Sequence, residues 1–234
     1  MAKRLRVTGA LLAAGSLLLA RPAAAQLGAS DAGVFEIRVG GRQVGTEEFR
    51  IQQSGGGGAA EITATGRVRL VLPTGILDLA PTLRTTGLQA NPVSYEVSIG
   101  GTSPRRIVGS VGERRFSSRI GTPTGEQLRE FPATEGAPIL DDGIAHHYYF
   151  VARRTHQGRI PVIIPRNNRQ VMATVRDLGE DNVTIGDETA PLYHLEVQPD
   201  GGEVRHVWVD DLGRVIRVEI PSTGYVALRT ELPD

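Results

Sequence analysis

The chain has 234 residues, its 26 basic and 26 acidic side chains balance, and it contains no cysteine. The missing cysteines exclude disulfides, thiol nucleophiles and thiolate zinc sites, and the balanced charge disfavours nucleic-acid binding, which depends on clustered Lys and Arg. Lys3 is the only lysine, so the chain beyond it has neither a Schiff-base lysine nor a P-loop lysine.

Residues 1–25 have the layout of a secretory signal peptide. A basic start is followed by an apolar stretch from Val7 to Ala20, and small residues ending at Ala25 precede Gln26. The apolar stretch is shorter than the roughly 20 residues that a membrane-spanning helix needs. We therefore predict cleavage before Gln26, export to the periplasm or full secretion, and one β-rich domain over 26–234 without a transmembrane segment. Loss of the four basic residues of the leader takes the net charge from 0 to −4.

Most of the remaining chain consists of short runs that alternate apolar and polar residues between Gly, Pro, Asn and Asp. Phe35, Ile37 and Val39 alternate with charged residues and precede a Gly-Gly pair, which is typical of a hairpin with one buried face. The same pattern predicts strands over 44–52, 60–72, 76–86, 92–100, 105–111 and 114–120, and later over 160–164, 169–177, 181–186, 191–198, 203–210, 214–220 and 225–232. Residues 121–138, rich in Gly, Pro and Thr, are predicted to form a long irregular connection.

One stretch, residues 142–157, is predicted to be helical. Asp141-Asp142 offers N-capping groups, basic residues occupy the last turn, and Gly158 is a natural stop. One face of this helix collects Ile144, His147, Tyr148, Val151 and Thr155. Many sequential strands with a single helix predict a mainly β fold, in which an antiparallel sheet forms an incomplete, half-open barrel wrapped around one short helix.

The histidines are the first candidates for chemistry. The spacing of His146, His147 and His156 does not converge on one metal ion as an i, i+4 pair would. His194 and His206 belong to one predicted hairpin: a bulged turn at 198–202 places them directly opposite each other, whereas a tight turn at 200–201 places them on opposite faces. The chain has no G-x-S-x-G, H-E-x-x-H or Walker sequence, so we predict no catalytic residue, metal ligand or cofactor.

The few aromatic residues suggest a second kind of site. A sheet wrapped loosely around a helix leaves a groove that a lipid or another apolar ligand can occupy. Candidates for lining such a cavity are Tyr148, Val151, Tyr193, His206 and Trp208. In the last meander, Gly213 suits a bulged turn, which would place Trp208 in the interior and opposite Ile216.

Two hairpins resemble a group of exported proteins of unknown function, the DUF3108 and DUF6134 type. The first runs from Phe35 to Phe49 and contains V-G-T-E, and the second runs from Val207 to Ile220 around V-W-V-D-D-L-G-R. The run Tyr148–Arg154 lies where such proteins place a short helix. The resemblance implies a partly open barrel around a helix, akin to periplasmic lipoprotein carriers of the LolA and LppX kind, which bind acyl chains. It implies no catalytic residues.

Three functions remain from the sequence. The leading hypothesis is a non-enzymatic periplasmic protein that binds a hydrophobic ligand, such as a lipid acyl chain, or a component of the cell envelope. The second is a structural or interaction module whose exposed sheet edge binds another envelope protein. The third is a hydrolase whose site is assembled in space, which would require a histidine, a carboxylate and a hydroxyl in one cleft.

Overall fold

Fourteen β-strands form one antiparallel sheet in the computed structural model of this chain, which describes residues 28–112 and 114–233. The predicted signal peptide and cleavage site lie outside these residues. The first eight strands are β1 Gly28–Val39, β2 Arg42–Ser54, β3 Glu61–Leu72, β4 Gly75–Thr86, β5 Asn91–Gly101, β6 Arg105–Gly112, β7 Arg115–Thr122 and β8 Gly125–Pro132. The other six are β9 Gly158–Ile164, β10 Arg169–Ile185, β11 Glu188–Pro199, β12 Arg205–Val209, β13 Val215–Ile220 and β14 Tyr225–Arg229.

The strands make two meanders, β1–β8 and β9–β14, which join where β1 pairs with β14. Phe35 lies opposite Arg229 in this pair. The Arg229 guanidinium is buried there, 2.6 Å from the carboxylate of Asp31, and its Nε donates to the carbonyl oxygen of Val215 at 2.5 Å. A buried charge is tolerated only when it is paired and hydrogen-bonded, and the pair with Asp31 of β1 links the two meanders.

The two ends of the sheet, β8 and β9, do not pair with each other. The segment after β8 lies beside β9 instead: Leu140 N donates to the Ile163 carbonyl and Ile163 N donates to the Pro138 carbonyl, both at 2.9 Å. Thr134 N also donates to Oε1 of Gln170 on β10, at 2.6 Å. The sheet is therefore an incomplete barrel whose gap is partly filled by residues 133–140, which confirms the predicted fold class.

Two strand predictions were wrong in detail. The predicted irregular connection at 121–138 contains β8, because Pro123 and Thr124 form a tight turn in which Thr122 pairs with Gly125. A high content of Gly, Pro and Thr also suits such a turn. The predicted strands 169–177 and 181–186 are one strand, β10, with an irregularity between Asp177 and Glu180, since β11 pairs with both halves.

The helix is shorter than predicted. A 3₁₀ turn over Ala145–His147 leads into α1, Tyr148–Ala152, and the chain then turns at Thr155, whose hydroxyl donates to the carbonyl of Gln157. The predicted N-cap at Asp141-Asp142 was wrong, because Gly143, at a φ of 73°, separates these residues from the turn. The predicted placement of the helix is confirmed: residues 144–152 are buried, and residues 153–161 are half-buried or exposed.

The inner face of the sheet packs around this segment. Residues from both meanders, including Phe35, Val68, Leu83, Val197 and Val207, are buried with α1 in one hydrophobic core. A second, smaller cluster consists of Val183, Ile185, Leu192, Trp208 and Ile216. Because side chains alternate between the faces of a strand and the neighbours of Trp208 belong to the main core, this second cluster lies on the outer face.

Candidate functional site

A buried carboxylate from a strand that is distant in the sequence caps the start of the helical segment. Glu47 of β2 accepts hydrogen bonds from Ala145 N at 2.7 Å, from His146 N at 3.0 Å and from His146 Nδ1 at 2.6 Å. The side chains of Glu47 and His146 are both fully buried, and the His146 ring stacks on Phe49 with 5.5 Å between centroids. Sequence reasoning missed Glu47, although an acidic residue that shares a face with Phe49 and Ile51 of the same strand needs a buried partner.

Asp141 anchors the same segment to β5. Its carboxylate accepts from the Tyr95 hydroxyl at 2.7 Å and from Nε of Arg166 at 2.9 Å. Burial raises the pKa of Asp141, and the positive charge of Arg166 acts against that shift. Burial also raises the pKa of Tyr95 well above its usual value, and the nearby Asp141 charge adds to the effect. The phenol therefore stays protonated and donates to the carboxylate.

His147 is held neutral in this core. The backbone N–H of Asp141 donates to its Nδ1 at 3.2 Å, so Nε2 carries the ring proton. Burial lowers the pKa of His147 well below its usual value, and the neighbouring His146 lowers it further. In the described residues, the hydrogen bonds of His146 and His147 involve no Ser or Thr hydroxyl. This pair therefore positions the helical segment.

Two predicted cavity residues lie on this segment. Tyr148 and Val151 are buried in the main core, and neither lines any of five clefts, of about 130 to 700 Å³, that are found among the described residues. Burial raises the pKa of Tyr148, and the Arg205 guanidinium beside its hydroxyl opposes this shift. Arg205 also binds the Asp142 carboxylate at 2.6 Å. Contact of Tyr148 and Val151 with a ligand stays a prediction.

The other three predicted residues lie across the second meander. Tyr193 is half-buried and lines an open cleft of about 380 Å³ together with Leu192 and Ile216. Trp208 is 7 % exposed, but it lies in the outer cluster and not in the main core. It pairs with Arg217 and not with Ile216, because a register irregularity follows it even though the turn at Asp210–Gly213 forms. His206, the last of the three, is half-buried.

Trp208 is the centre of a stack that crosses three strands of the outer face. Its ring stacks on His194 with 4.3 Å between centroids and an interplanar angle of 16°, and the Arg217 guanidinium lies 4.9 Å from the centroid of its ring. The carboxylate of Asp181 accepts from Trp208 Nε1 at 3.1 Å and from His194 Nδ1 at 2.8 Å. These contacts stabilise the outer cluster and fix the orientation of the His194 ring.

His194 and His206 share this face and contact each other. His194 Nε2 and His206 Nδ1 are 2.8 Å apart, although neither predicted register forms: His194 pairs with Trp208, and His206 pairs with Glu196. Strand β11 continues to Pro199 and β12 begins at Arg205, so the two histidines are diagonal neighbours. Burial lowers the pKa of His194, and the charge of Asp181 acts in the opposite direction.

An open strand edge lies at β8, one of the two ends of the sheet. β8 pairs only with β7 in the sheet, and residues 122–130 are exposed. A cleft of about 700 Å³ lies along β6–β8, and its apolar lining comes from Val108 and Leu128. Leu128 is 76 % exposed, and the acidic residues on either side of it, Glu126 and Glu130, pair with Arg119 and Arg115 of β7.

Comparisons with known proteins found no match among family models, curated proteins or solved structures. The resemblance to DUF3108, DUF6134 and the LolA and LppX carriers therefore stays a prediction. Within 28–112 and 114–233, no group of three or more His, Cys, Asp or Glu side chains could hold a metal ion. No helix among these residues is long and apolar enough to cross a membrane.

Proposed function

We propose that this chain is an exported, non-enzymatic binding protein of the cell envelope, and that it binds an extended peptide segment of another envelope protein at the edge of β8. The observation that carries the proposal is the open edge beside an apolar groove, in a molecule whose inner face is filled by its own chain. This choice promotes the second of the three sequence hypotheses over the first.

The inner face gives little support to a lipid carrier. A carrier of the predicted kind needs a cavity of several hundred Å³ between the sheet and the helix. Residues 144–152 instead form part of the hydrophobic core, and three sheet residues, Glu47, Tyr95 and Arg205, bind the segment that begins at Asp141. Opening this face would break buried polar contacts, each of which is costly to leave unmade.

The β8 edge suits recognition by strand addition. The outer edge of a terminal strand presents unpaired N–H and C=O groups, which an extended peptide can satisfy, while alternate side chains of the peptide contact neighbouring pockets. Leu128 offers an apolar contact in the centre of the strand, and the Arg-paired Glu126 and Glu130 carry compensated charge. We therefore expect a peptide with an apolar residue opposite Leu128 and polar residues next to it.

A random decapeptide display library tests this proposal directly. We expect selected peptides to bind the wild-type chain and to lose at least tenfold in affinity for the Leu128→Glu variant, which should fold normally because Leu128 is exposed. Strand addition uses main-chain hydrogen bonds, and only every second N–H of the peptide faces β8. Methylation of either the odd-numbered or the even-numbered peptide nitrogens should therefore abolish binding, and methylation of the other set should not. A matched control, Leu212→Glu, changes an exposed leucine at the 210–213 turn and should leave binding unchanged.

The proposal fails if the library yields no binder, or if selected peptides bind Leu128→Glu and the wild-type chain equally. It also fails if methylation of neither set of alternate nitrogens has an effect, because the backbone of the peptide then does not pair with β8.

A hydrophobic small ligand is the second candidate, and the cleft along β6–β8 favours it. Its volume of about 700 Å³ lies within the roughly 300–1,000 Å³ range of small-molecule pockets. Saturable uptake of a fluorescent fatty acid that Leu128→Glu removes would support this candidate. Uptake that persists in Leu128→Glu but disappears in Val151→Asp would return the ligand to the inner face, as the sequence predicted.

A further inference from the structure

The two histidines of the outer face are arranged so that one hydrogen bond fixes the next. Asp181 accepts from His194 Nδ1, so in the neutral ring the lone pair of Nε2 points at Nδ1 of His206, 2.8 Å away. The stack on Trp208 further restricts the His194 ring. The carboxylate–imidazole contact is the arrangement that commonly orients histidines whose other nitrogen binds a metal ion.

The charges around the pair favour a cation. Glu196 of β11 and Glu219 of β13 lie opposite His206 on its two sides, and Asp181 of β10 faces His194. Arg176 pairs with Glu196, and Arg217 pairs with Glu219. Three acidic side chains and two basic ones therefore surround the two rings, which leaves one negative charge uncompensated.

We propose that His194 Nε2 and His206 Nδ1 together bind a divalent transition-metal ion of the kind that prefers imidazole, Cu²⁺, Ni²⁺ or Zn²⁺. On binding, the proton between the two nitrogens is exchanged through solvent to Nε2 of His206. Both rings then stay neutral, and the ion lies between the lone pairs of His194 Nε2 and His206 Nδ1. Two nitrogens on a tetrahedral ion, with bonds of about 2.0–2.1 Å, lie roughly 3.3 Å apart. The half-buried His206 ring needs only a small rotation to reach that separation.

The site is an open one. The described residues bring no third His, Cys, Asp or Glu into a metal-binding group with this pair. Water completes the coordination, and the ion exchanges more readily than it would from a closed four-ligand structural site. The inference is independent of the proposed function, because it uses side chains of β10–β13 and the proposed function uses the edge of β8.

The chain carries its own reporter for this site. Trp208 is the only tryptophan, and its ring is stacked on a proposed ligand. In a preparation without a histidine tag, we expect Cu²⁺ to quench the Trp208 fluorescence saturably at one ion per chain. We expect Zn²⁺, which does not quench, to reverse the effect by competition.

Substitutions in and outside the pair should change the affinity for Cu²⁺ by different amounts. His206→Asn should weaken Cu²⁺ binding by more than tenfold, and His156→Asn, which changes a histidine outside the pair, should not alter it. Asp181→Asn should weaken binding by about tenfold or more, as is usual for the residue that orients a metal-bound imidazole. Quenching that does not saturate, or that is unchanged in His206→Asn, would overturn the proposal.

Proton NMR spectra of the wild-type chain test the proposal even if His206→Asn does not fold. With substoichiometric Cu²⁺, the ring protons of His194 and His206 should broaden before those of the other three histidines. Broadening that begins at His156, or that affects all five histidines equally, would contradict the site.

Discussion

Two histidine pairs, each with a carboxylate partner, lie on opposite faces of the same sheet. His146 and His147 lie on the helical segment of the inner face, where Glu47 binds His146 and both rings are buried. His194 and His206 lie on the outer face, where Asp181 binds His194 and is itself 51 % exposed. The residue types are the same in the two places, but only the outer pair can meet a solute without opening the fold.

The difference shows how burial assigns roles to similar groups. Glu47 accepts two backbone N–H groups as well as an imidazole, so it is part of the helix start and has no capacity left for a ligand. Asp181 accepts from the ring N–H groups of Trp208 and His194. His206, which contacts the other nitrogen of His194, is half-buried. A buried polar network stabilises one arrangement, whereas a half-exposed network keeps lone pairs available for chemistry.

The largest expected effect comes from removing the inner carboxylate. Glu47→Ala leaves two backbone N–H groups and the His146 ring without a partner in the core, and breaking a buried pair in this way typically costs about 3–5 kcal/mol. We expect this loss in the free energy of unfolding, measured by denaturant titration. Glu48→Ala, at the exposed neighbouring position, should change it by less than about 0.5 kcal/mol. Equal midpoints for the two variants would show that the inner pair is not structural.

The next largest effect is expected in the pH dependence of the free energy of unfolding, through His147 of the inner pair. Burial lowers the pKa of His147 well below 6.5. Between that folded-state pKa and pH 6.5, the unfolded chain therefore binds a proton at this residue that the folded chain does not bind. The stabilisation is present above pH 6.5 and is lost as the pH falls through that value towards the folded-state pKa. A single such group costs about 1.4 kcal/mol between pH 7.5 and 5.5.

A comparison of variants isolates this effect. His147→Gln should remove about that much of the loss between pH 7.5 and 5.5, whatever its stability at neutral pH, and His156→Gln should not. A His147→Gln profile parallel to that of the wild-type chain would mean that His147 is protonated in the fold.

The smallest effect is expected on the outer face. Asp181→Ala removes the same type of partner as Glu47→Ala, but water can replace the lost acceptor at a carboxylate that is half exposed. We expect a loss of about 1 kcal/mol or less, as for ordinary hydrogen bonds and exposed ion pairs. A loss as large as that of Glu47→Ala would contradict the distinction between the two faces.

The sequence predicted the strands and the fold class because alternation between two faces is a local property that short windows reveal. It missed the start and the end of the helix because the capping group, Glu47, comes from a strand far away in the chain. It left the relation of His194 to His206 open because a register depends on where β11 and β12 end, and the Pro-Asp-Gly-Gly run between them suits more than one turn. The buried acidic residue on the face of Phe49 was the signal available for the inner site.

Hydrogen exchange tests most directly the claim that the inner face is closed core and that contacts with other molecules are made elsewhere. Amides of α1, such as those of Tyr149–Ala152, should exchange only through global or nearly global unfolding, since the segment is buried and tied to β2, β5 and β12. Amides at the outer edge of β8 should exchange by local opening, orders of magnitude faster. Exchange of α1 as fast as that of β8 would mean that the helical segment opens as a lid, and would contradict the account.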